Sequence, residues 1–493
     1  MGVRARLGAR PWPERPVSEA NKSGSDPAAK RRASHALARS LRVAGITLLP
    51  IALLVALPAT ALAEEHPPVG VSDETQFILN TFAFLLWGVL VMWMCAGFTM
   101  LESGAVRTKN ASMICLKNIG IYSIAGLAYY FIGYNLMYVD VGDVVGSFQF
   151  LYGPSDAELG LLDGAVEHVG EVVGNGYAVM SDWFFQMVFV ATAASIVSGA
   201  IAERIKMWAF FLFTLILTAF IYPIVGSWHW GGGWLAEQGF VDFAGSTIVH
   251  STGGWAALAG VLIIGPRLGK FRKNGTVKPT PPSNVLVVTL GVLILWLGWF
   301  GFNGGSQLAL GSAADAVAIS NILVNTNLAA AAGVVAALAV SRPIFGRMDL
   351  FAGLNGALAG LVSITAAPDI TEHWWAVIIG AVGGVICTAA IKGLEQLKID
   401  DVVGAIPAHL VSGIWGTLAA SIAGGANFGT QLLGVAAIGA FTFAVSLIVW
   451  KLMDMAIGLR VGVEAERLGQ DTAELGIETY PEFVLMPEEF DED

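Results

Sequence analysis

The fold is decided by the stretch DFAGSTIVHSTGG, residues 242–254, in which a histidine stands eight positions after an aspartate in mostly apolar sequence. Residues 401–413, DVVGAIPAHLVSG, repeat the spacing D-x-x-G-x-x-x-x-H-x-x-x-G at an offset of 159 residues. A second similarity, between SGAIA at 198–202 and NGALA at 355–359, has an offset of 157 residues. Two similar offsets indicate that the chain contains a duplicated half.

The composition places this duplication in a membrane. Of 493 residues, 55% are hydrophobic and only 13% are charged, and the mean hydropathy is +0.67. These values are typical of an all-α polytopic membrane protein. The net charge of −11 indicates no partner, because the charges lie in separate clusters, and nothing favours nucleic-acid binding. Three cysteines without a C-x-x-C spacing predict neither a zinc site nor a disulfide framework, and we expect no cofactor.

The N-terminus has the pattern of a targeting segment. Residues 1–42 carry ten Lys or Arg and three acids, and the apolar run from Ala44 ends in ALA at 61–63. We predict a signal peptide or an uncleaved N-terminal anchor over residues 1–63. On either interpretation the chain from Glu64 onward begins outside the cell.

Positive charges predict the number of membrane helices. All the remaining Lys and Arg fall in six clusters, and the shortest stretch between two clusters, 348–391, is 44 residues long. Each of the five stretches can hold two crossings of about 20 residues. With all six clusters in the cytoplasm, the chain has eleven helices, an external N-terminus after residue 63 and a cytoplasmic C-terminus. The organisation is then a membrane domain at 64–458 and a cytoplasmic tail at 459–493.

The apolar runs give approximate bounds for these helices: 77–101, 112–138, 181–203, 207–228, 242–266, 283–302, 313–339, 349–366, 372–391, 404–424 and 430–455. The duplicated segments are five helices apart, which is an odd number, so the two halves have opposite orientations in the membrane. The predicted fold is therefore two inverted five-helix repeats plus a final helix, an arrangement that places transport sites near the midplane.

The two histidines of the duplicated stretch fall at similar depth. Eight residues at about 1.5 Å each place His250 and His409 roughly 12 Å from opposite ends of their helices, near the middle of a core of about 30 Å. Paired membrane histidines either bind haem as axial ligands or line a narrow pore as donors and acceptors of hydrogen bonds. The helices offer arginine for haem propionates only at their inner ends, which favours the pore.

Aromatic side chains gather where several helices reach the outer face. A single one of them is more typical of an interfacial belt, but a cage of aromatic rings with a hydroxyl attracts a small cation and replaces its water. No ring of carboxylates accompanies them, which argues against a general metal-cation filter. The residues concerned are Phe185, Phe189, Trp230, Phe302 and Ser306.

Several of these motifs together resemble the signatures of the ammonium transporter (Amt/Mep/Rh) family, over about Phe77 to Pro481. The residues GFTMLE at 97–102 and RTKN at 107–110 are similar to the bacterial and plant Amt branch, and we assign the chain to the bacterial Amt branch. The other motifs that carry the resemblance are AERI at 202–205, WGGG at 230–233, DFAG at 242–245 with His250, GFNGGS at 301–306, and DD at 400–401 with His409.

The resemblance implies a transporter or channel for ammonium or ammonia, not an enzyme, that serves nitrogen uptake in the cell inner (plasma) membrane as a homotrimer. It also implies regulation by a cytoplasmic PII signalling protein at residues 267–282 and 459–481. The implied site residues are Trp230, Phe185 and Ser306 for outer substrate binding, Phe189 and Phe302 for the gate, His250 and His409 for the pore, and Asp242 for structural support.

The sequence departs from the family pattern at the second histidine and in the tail. Gly404 stands where an acid is frequent, and Pro407 predicts an irregular start to helix ten. Gln470 and Leu475 replace the leucine and histidine common in the regulatory tail. An ammonium sensor of the same fold stays open as an alternative, although no recognisable output domain follows Pro481. The net charge of the transported species also stays open.

Overall fold

The computed structural model describes residues 71–274 and 276–481. The predicted N-terminal signal or anchor at 1–63 lies outside the described residues. Within them the chain is helical, and two isolated β-bridges take the place of any strand. Eleven apolar helices are named here α1 (Asp73–Ala105), α2 (Thr108–Tyr138), α3 (Val179–Ala200), α4 (Met207–Ser227), α5 (Ser246–Ile264), α6 (Val285–Gly305), α7 (Ala313–Phe345), α8 (Leu350–Ile364), α9 (His373–Gln396), α10 (Ile406–Ala423) and α11 (Phe428–Ile457).

The helix count agrees with the sequence prediction for the described part of the chain. Ten of the eleven helices are long and apolar enough to cross a membrane, and α8 is a shorter apolar helix that is buried along most of its length. The protein is therefore a multi-pass membrane protein. The largest shift of a single bound is at α7, which continues beyond the predicted residue 339 to Phe345, with Pro343 in its last turn.

Polar residues fix where several of the helices begin. A side-chain oxygen just before the first turn accepts hydrogen bonds from backbone N–H groups that have no partner within the helix. At α7 the cap is reciprocal, because Ser312 and Asp315 each bond the other's backbone. The other caps of this kind are Ser72 before α1, Asn284 before α6, Asp349 before α8 and Asn427 before α11.

Short helices lie in the connections. The segment between α2 and α3 contains a 3₁₀ turn and two short α-helices, Asp156–Leu162 and Val169–Gly174. Ser155 and Glu158 form a capping box there, and the Glu158 carboxylate also accepts a hydrogen bond of 2.8 Å from the Val179 amide at the start of α3. A further helix, Trp234–Glu237, follows the glycine run after α4.

The described part of the tail packs against one face of the membrane domain. It forms the short helix Val463–Leu468 and the π-helical turn Asp471–Leu475. Asp471 accepts hydrogen bonds from the amides of Ser112 (3.0 Å) and Met113 (2.7 Å), so it caps the first turn of α2. Gln470, one of the departures from the family pattern, is buried and donates a 2.7 Å hydrogen bond to the Ile205 carbonyl.

Candidate functional site

The two duplicated aspartates have the same structural task. The Asp242 carboxylate is fully buried and accepts hydrogen bonds from the amides of Thr247 (2.9 Å) and Ile248 (2.8 Å) at the start of α5. Asp401 accepts from the amides of Gly404 (3.0 Å) and Ile406 (2.7 Å) at the start of α10. Each aspartate therefore neutralises the positive end of a helix that begins inside the protein.

The first glycine of each repeat allows the chain to turn from the aspartate into the helix. Gly245 has φ +104° and Gly404 has φ +84°, a left-handed conformation that costs glycine little. Both turns lead into a six-residue π-helical segment, Ser246–Ser251 in α5 and Ile406–Val411 in α10. Because the segment in α5 contains no proline, Pro407 does not by itself cause the irregular start that was expected for α10.

The second glycine of each repeat lets the two helices touch. A Cβ on Gly254 would lie 2.6 Å from the Leu410 Cβ and 2.8 Å from its backbone nitrogen. A Cβ on Gly413 would lie 2.3 Å from the Ser246 carbonyl oxygen and 2.5 Å from the Ser251 hydroxyl. Each glycine therefore packs against the opposite helix, next to the residue that follows the histidine of that helix. Because neither glycine has a side chain, α5 and α10 approach each other more closely than a Cβ atom would allow.

This crossing places the two predicted pore histidines in direct contact. The Nδ1 atoms of His250 and His409 are 3.3 Å apart, and the ring centroids are 5.3 Å apart at 29°. Both side chains are buried, at 0% and 3% exposure. A haem iron and its macrocycle do not fit between two nitrogens in hydrogen-bond contact, so the axial-ligand interpretation is wrong.

The predicted aromatic residues form a column that leads to this pair. Trp230 meets Phe189 edge-on at 6.0 Å between centroids, and the Phe189 ring stacks on Phe302 at 3.9 Å. Phe302 in turn stacks on His250 at 5.3 Å. Phe185 packs beside Phe189 at 4.8 Å. Trp230 is partly exposed, whereas all three phenylalanines are at most 1% exposed, so the phenylalanine rings close the column.

Hydrogen bonds orient Trp230 and Ser306 at the end of the column away from the histidines. The Trp230 indole N–H donates to the Asp242 carbonyl oxygen at 2.9 Å, so the aspartate that caps α5 also holds the tryptophan. The Ser306 hydroxyl donates to the Phe302 carbonyl at 2.8 Å, which leaves its oxygen lone pairs available to a cation. All eight residues predicted for the site therefore belong to one connected group.

Two aromatic side chains of this group were not predicted. Trp299 stacks on His250 at 4.9 Å and 21°, and its indole N–H donates to the Thr365 hydroxyl at 2.9 Å. Phe98 lies 6.4 Å from His409. A signal for Trp299 was present, because it precedes Phe302 by three residues and so shares its helix face.

In the described ranges no group of three or more His, Cys, Asp or Glu side chains could hold a metal ion.

A narrow cavity continues beyond His409, on the side away from the phenylalanine rings. Its walls include Phe98, Glu102, Ser195 and Asn355 together with His409. A larger vestibule adjoins it, since Asn355 and Val403 line both spaces. The vestibule is bordered by residues of the loop after α5, including Pro279, Pro281 and Pro282.

A buried ionic network surrounds the end of α3 near this vestibule. The Arg267 guanidinium contacts both Asp400 oxygens at 2.8 Å and Glu203 at 2.7 Å, and Arg107 also contacts Glu203. Burial alone would raise the pKa of Asp400, but the hydrogen bonds and positive charge of Arg267 hold that pKa well below its usual range. The Leu268 amide donates to the Glu466 carboxylate at 2.6 Å, which connects the loop after α5 to the tail.

Comparison with known proteins agrees with this architecture. The model of the Ammonium Transporter Family matches residues 82–480. The chain belongs to the ammonium transporter family. It is 36% identical to the ammonium transporter Amt2 of Archaeoglobus fulgidus over 478 residues, which cover 90% of this chain and 97% of the relative. It is 40% identical to the putative ammonium transporter sll1017 of Synechocystis over 408 residues, 82% of this chain and 89% of the relative.

Solved structures extend the comparison to the fold. The family member titled Sensor Amt Protein superposes with a TM-score of 0.73 at 35% identity, over 82% of this chain and all of that one. Mep2 of Candida albicans superposes with a TM-score of 0.69 at 28% identity, over 86% of this chain and 94% of that one. The chain thus has the fold of the ammonium transporter family, whose members are transporters and channels.

Proposed function

We propose that this protein transports ammonium or ammonia across the cell inner membrane through a pore lined by His250 and His409. The observation that carries the proposal is the unbroken sequence of contacts from Trp230 through Phe189 and Phe302 to the histidine pair. The names of the relatives supply the substrate, since both relatives described above are named as ammonium transporters, one of them putative.

The mechanism begins at the outer aromatic group. Ammonium binds there through the ring faces of Trp230 and Phe185 and the oxygen of Ser306, which replace part of its water. The stacked rings of Phe189 and Phe302 exclude water, so ammonium transfers a proton to water at the outer site before it passes them. Ammonia then passes along the histidine pair, and the proton either stays in the external water or is relayed inward separately.

Selection against potassium follows from the same geometry. Potassium resembles ammonium in size but has no proton to release, so it would enter the buried column as a bare charge. Transfer of an ion into such surroundings without compensating ligands costs many kcal/mol. A dry pore with neutral imidazoles therefore rejects potassium and passes ammonia.

The proposal is tested by the change His409→Ala with purified protein in proteoliposomes. We expect selective methylammonium uptake over potassium to be lost, while the matched change His168→Ala, in the outer segment between α2 and α3, leaves both unaffected. Uptake by the His409→Ala protein at the wild-type rate with wild-type selectivity would refute the pore assignment.

We further propose a homotrimer with the N-terminus outside and the C-terminus cytoplasmic. The positive-inside distribution of Lys and Arg supports the orientation, and the family resemblance supports the trimer. Cysteine labelling from either side of sealed vesicles, at Thr472→Cys in the tail, tests the first. The mass of the complex extracted in native lipid tests the second.

The face that carries the tail is proposed to bind a PII signalling protein. The hydrogen bond between Leu268 and Glu466 supports this, because it joins residues 267–282 to residues 459–481 in one surface. Co-sedimentation of a purified PII protein with vesicles that expose this face is expected. Loss of the co-sedimentation after removal of residues 459–481 would confirm the tail's part, and no binding by the whole protein would refute the proposal.

The alternative function is that of an ammonium sensor, and the structural similarity to the protein titled Sensor Amt Protein supports this alternative. The two functions differ in flux. A transporter gives sustained substrate uptake after an ammonium pulse to proteoliposomes, and we expect this result. A pure sensor would bind ammonium without uptake.

A further inference from the structure

The cavity beyond the histidine pair contains one carboxylate, that of Glu102, which has no role in the mechanism described above. Glu102 lies in α1 and is 1% exposed. Its Oε2 atom accepts a hydrogen bond of 2.7 Å from the Ser198 hydroxyl. Its Oε1 atom is buried and has no hydrogen-bond partner among the described residues. A buried carboxylate oxygen without a donor is costly, so its presence calls for a ligand that supplies one.

The position of Glu102 relates it to the pore. It lines the same narrow cavity as His409, and that cavity adjoins the vestibule through Asn355 and Val403. On the proposed orientation, α1 ends at the cytoplasmic face three residues after Glu102. A substrate that leaves the histidines toward the cytoplasm therefore meets this carboxylate first.

The positive charge nearest to Glu102 is engaged elsewhere. The Lys117 ammonium donates to the Ser198 carbonyl at 3.1 Å and lies 4.6 Å from the centre of the Phe210 ring. Within the described residues it forms no ion pair with Glu102. Asn118 is also close and its amide stabilises the charged carboxylate. One of its N–H groups donates to the Ile114 carbonyl at 3.1 Å, and neither forms a hydrogen bond with Oε1. Lys117 thus lowers the cost of a negative charge on Glu102 without occupying Oε1.

The remaining walls offer few oxygen ligands. Besides Glu102, side-chain oxygens come from Ser195 and Asn355, and the other lining side chains, such as Phe98, Leu101 and Ile196, have none. A metal ion in such a place would lack most of its coordination shell. An ammonium ion needs less, because one charge-assisted N–H···O bond neutralises it and its other N–H groups can bond water in the vestibule.

We propose that Glu102 is an inner binding site for ammonium, at which the cation is held through Oε1 between the histidine pair and the vestibule. This rests on the proposed transport function. The inner site would complement the outer aromatic site, so that each end of the dry column has its own means of binding the charged substrate.

The test uses the whole protein in right-side-out and inverted membrane vesicles, with radiolabelled methylammonium as the probe. The variants are Glu102→Gln, which keeps the shape and the Ser198 contact, Glu102→Asp, which keeps the charge, and the control Glu372→Gln on the exposed outer surface. Loss of one charge-assisted hydrogen bond corresponds to about a tenfold change in affinity.

We expect Glu102→Gln to raise the half-saturating methylammonium concentration about tenfold in inverted vesicles and to leave it within about twofold of wild type in right-side-out vesicles. Glu102→Asp should show the same one-sided effect at about threefold, which tests the proposal even if Glu102→Gln does not fold. An equal change on both sides, or no change on either, would overturn the inner site. Absence of uptake by the wild-type protein in both vesicle types would instead refute the transport function.

Discussion

The glycine crossing between the repeats can be tested by the single change Gly413→Ala. The new Cβ would lie 2.3 Å from the Ser246 carbonyl oxygen, about 1.1 Å short of an ordinary contact at 3.4 Å. Because the obstacle is backbone and not a flexible side chain, α10 must move away from α5 by a similar amount. Overpacking of this kind costs about 1–3 kcal/mol.

That movement reaches the histidine pair directly. If it separates the histidines along their line of contact, the Nδ1 to Nδ1 distance grows from 3.3 Å to about 4.4 Å, beyond any hydrogen bond. Loss of one hydrogen bond of about 0.5–1.5 kcal/mol predicts a fall in the transport rate of up to about tenfold.

The assay is methylammonium uptake in proteoliposomes, together with thermal unfolding of the detergent-solubilised protein. Gly393→Ala in α9 is the matched control, because an added Cβ there meets nothing within 4 Å. It should keep the uptake rate and gain up to about 1 kcal/mol from higher helix propensity. If Gly413→Ala matched this control in both measurements, the close crossing would not be what brings the histidines together.

Three further results are expected. Asp242→Ala removes the acceptor of two amide hydrogen bonds and should destabilise the protein by about 0.5–2 kcal/mol in thermal unfolding, and an unchanged melting temperature would contradict the capping role. Trp230→Phe removes the indole N–H that Asp242 holds and should raise the half-saturating ammonium concentration with little change in maximal uptake; a change in maximal uptake alone would place Trp230 elsewhere in the mechanism. Asp400→Asn breaks a buried ion pair with Arg267 and should cost about 3–5 kcal/mol at pH 7. The pKa of Asp400 is lower in the folded protein than in the unfolded chain, so the stabilisation by this ion pair is present above the unfolded pKa of about 3.9 and declines as the pH falls below it. The wild-type and Asp400→Asn proteins should therefore converge in stability on acidification. A difference that stays constant with pH would refute the assignment.

Much of the fold could be predicted from the sequence, because the number of membrane helices depends on two properties that the sequence shows directly: the length of the apolar segments and the positions of Lys and Arg. Clusters such as Arg342–Arg347 predict cytoplasmic helix ends, and the apolar length between two clusters predicts two helices each. The same reasoning predicted that His250 and His409 lie at one depth. Their contact follows from the inverted repeat, which a duplicated D-x-x-G motif makes visible.

The other contacts between helices could not be predicted, because they depend on which face each helix turns toward its neighbours. The spacing of Trp299 and Phe302 places both on one face of α6, but the stacking of Trp299 on His250 also requires that this face turns toward α5, which the sequence of α6 alone does not specify. The π-helical form of residues 246–251 and 406–411 likewise arises where two helices meet at glycine. In the sequence Glu102 stands out only as part of a family motif, because the cavity that it lines is formed by residues of α1, α3, α8 and α10.

The contact between the two Nδ1 atoms makes a nearly symmetric pair chemically unequal. When both rings are neutral, a hydrogen bond between these atoms requires that one ring donates and the other accepts. The donor ring then presents a lone pair at Nε2, whereas the acceptor ring presents an N–H at the same atom. The repeat is symmetric in its backbone, but the shared proton gives the histidine pair a direction. To reverse that direction, the shared proton must cross between the Nδ1 atoms, the former donor ring must gain a proton at Nε2, and the former acceptor ring must release its Nε2 proton.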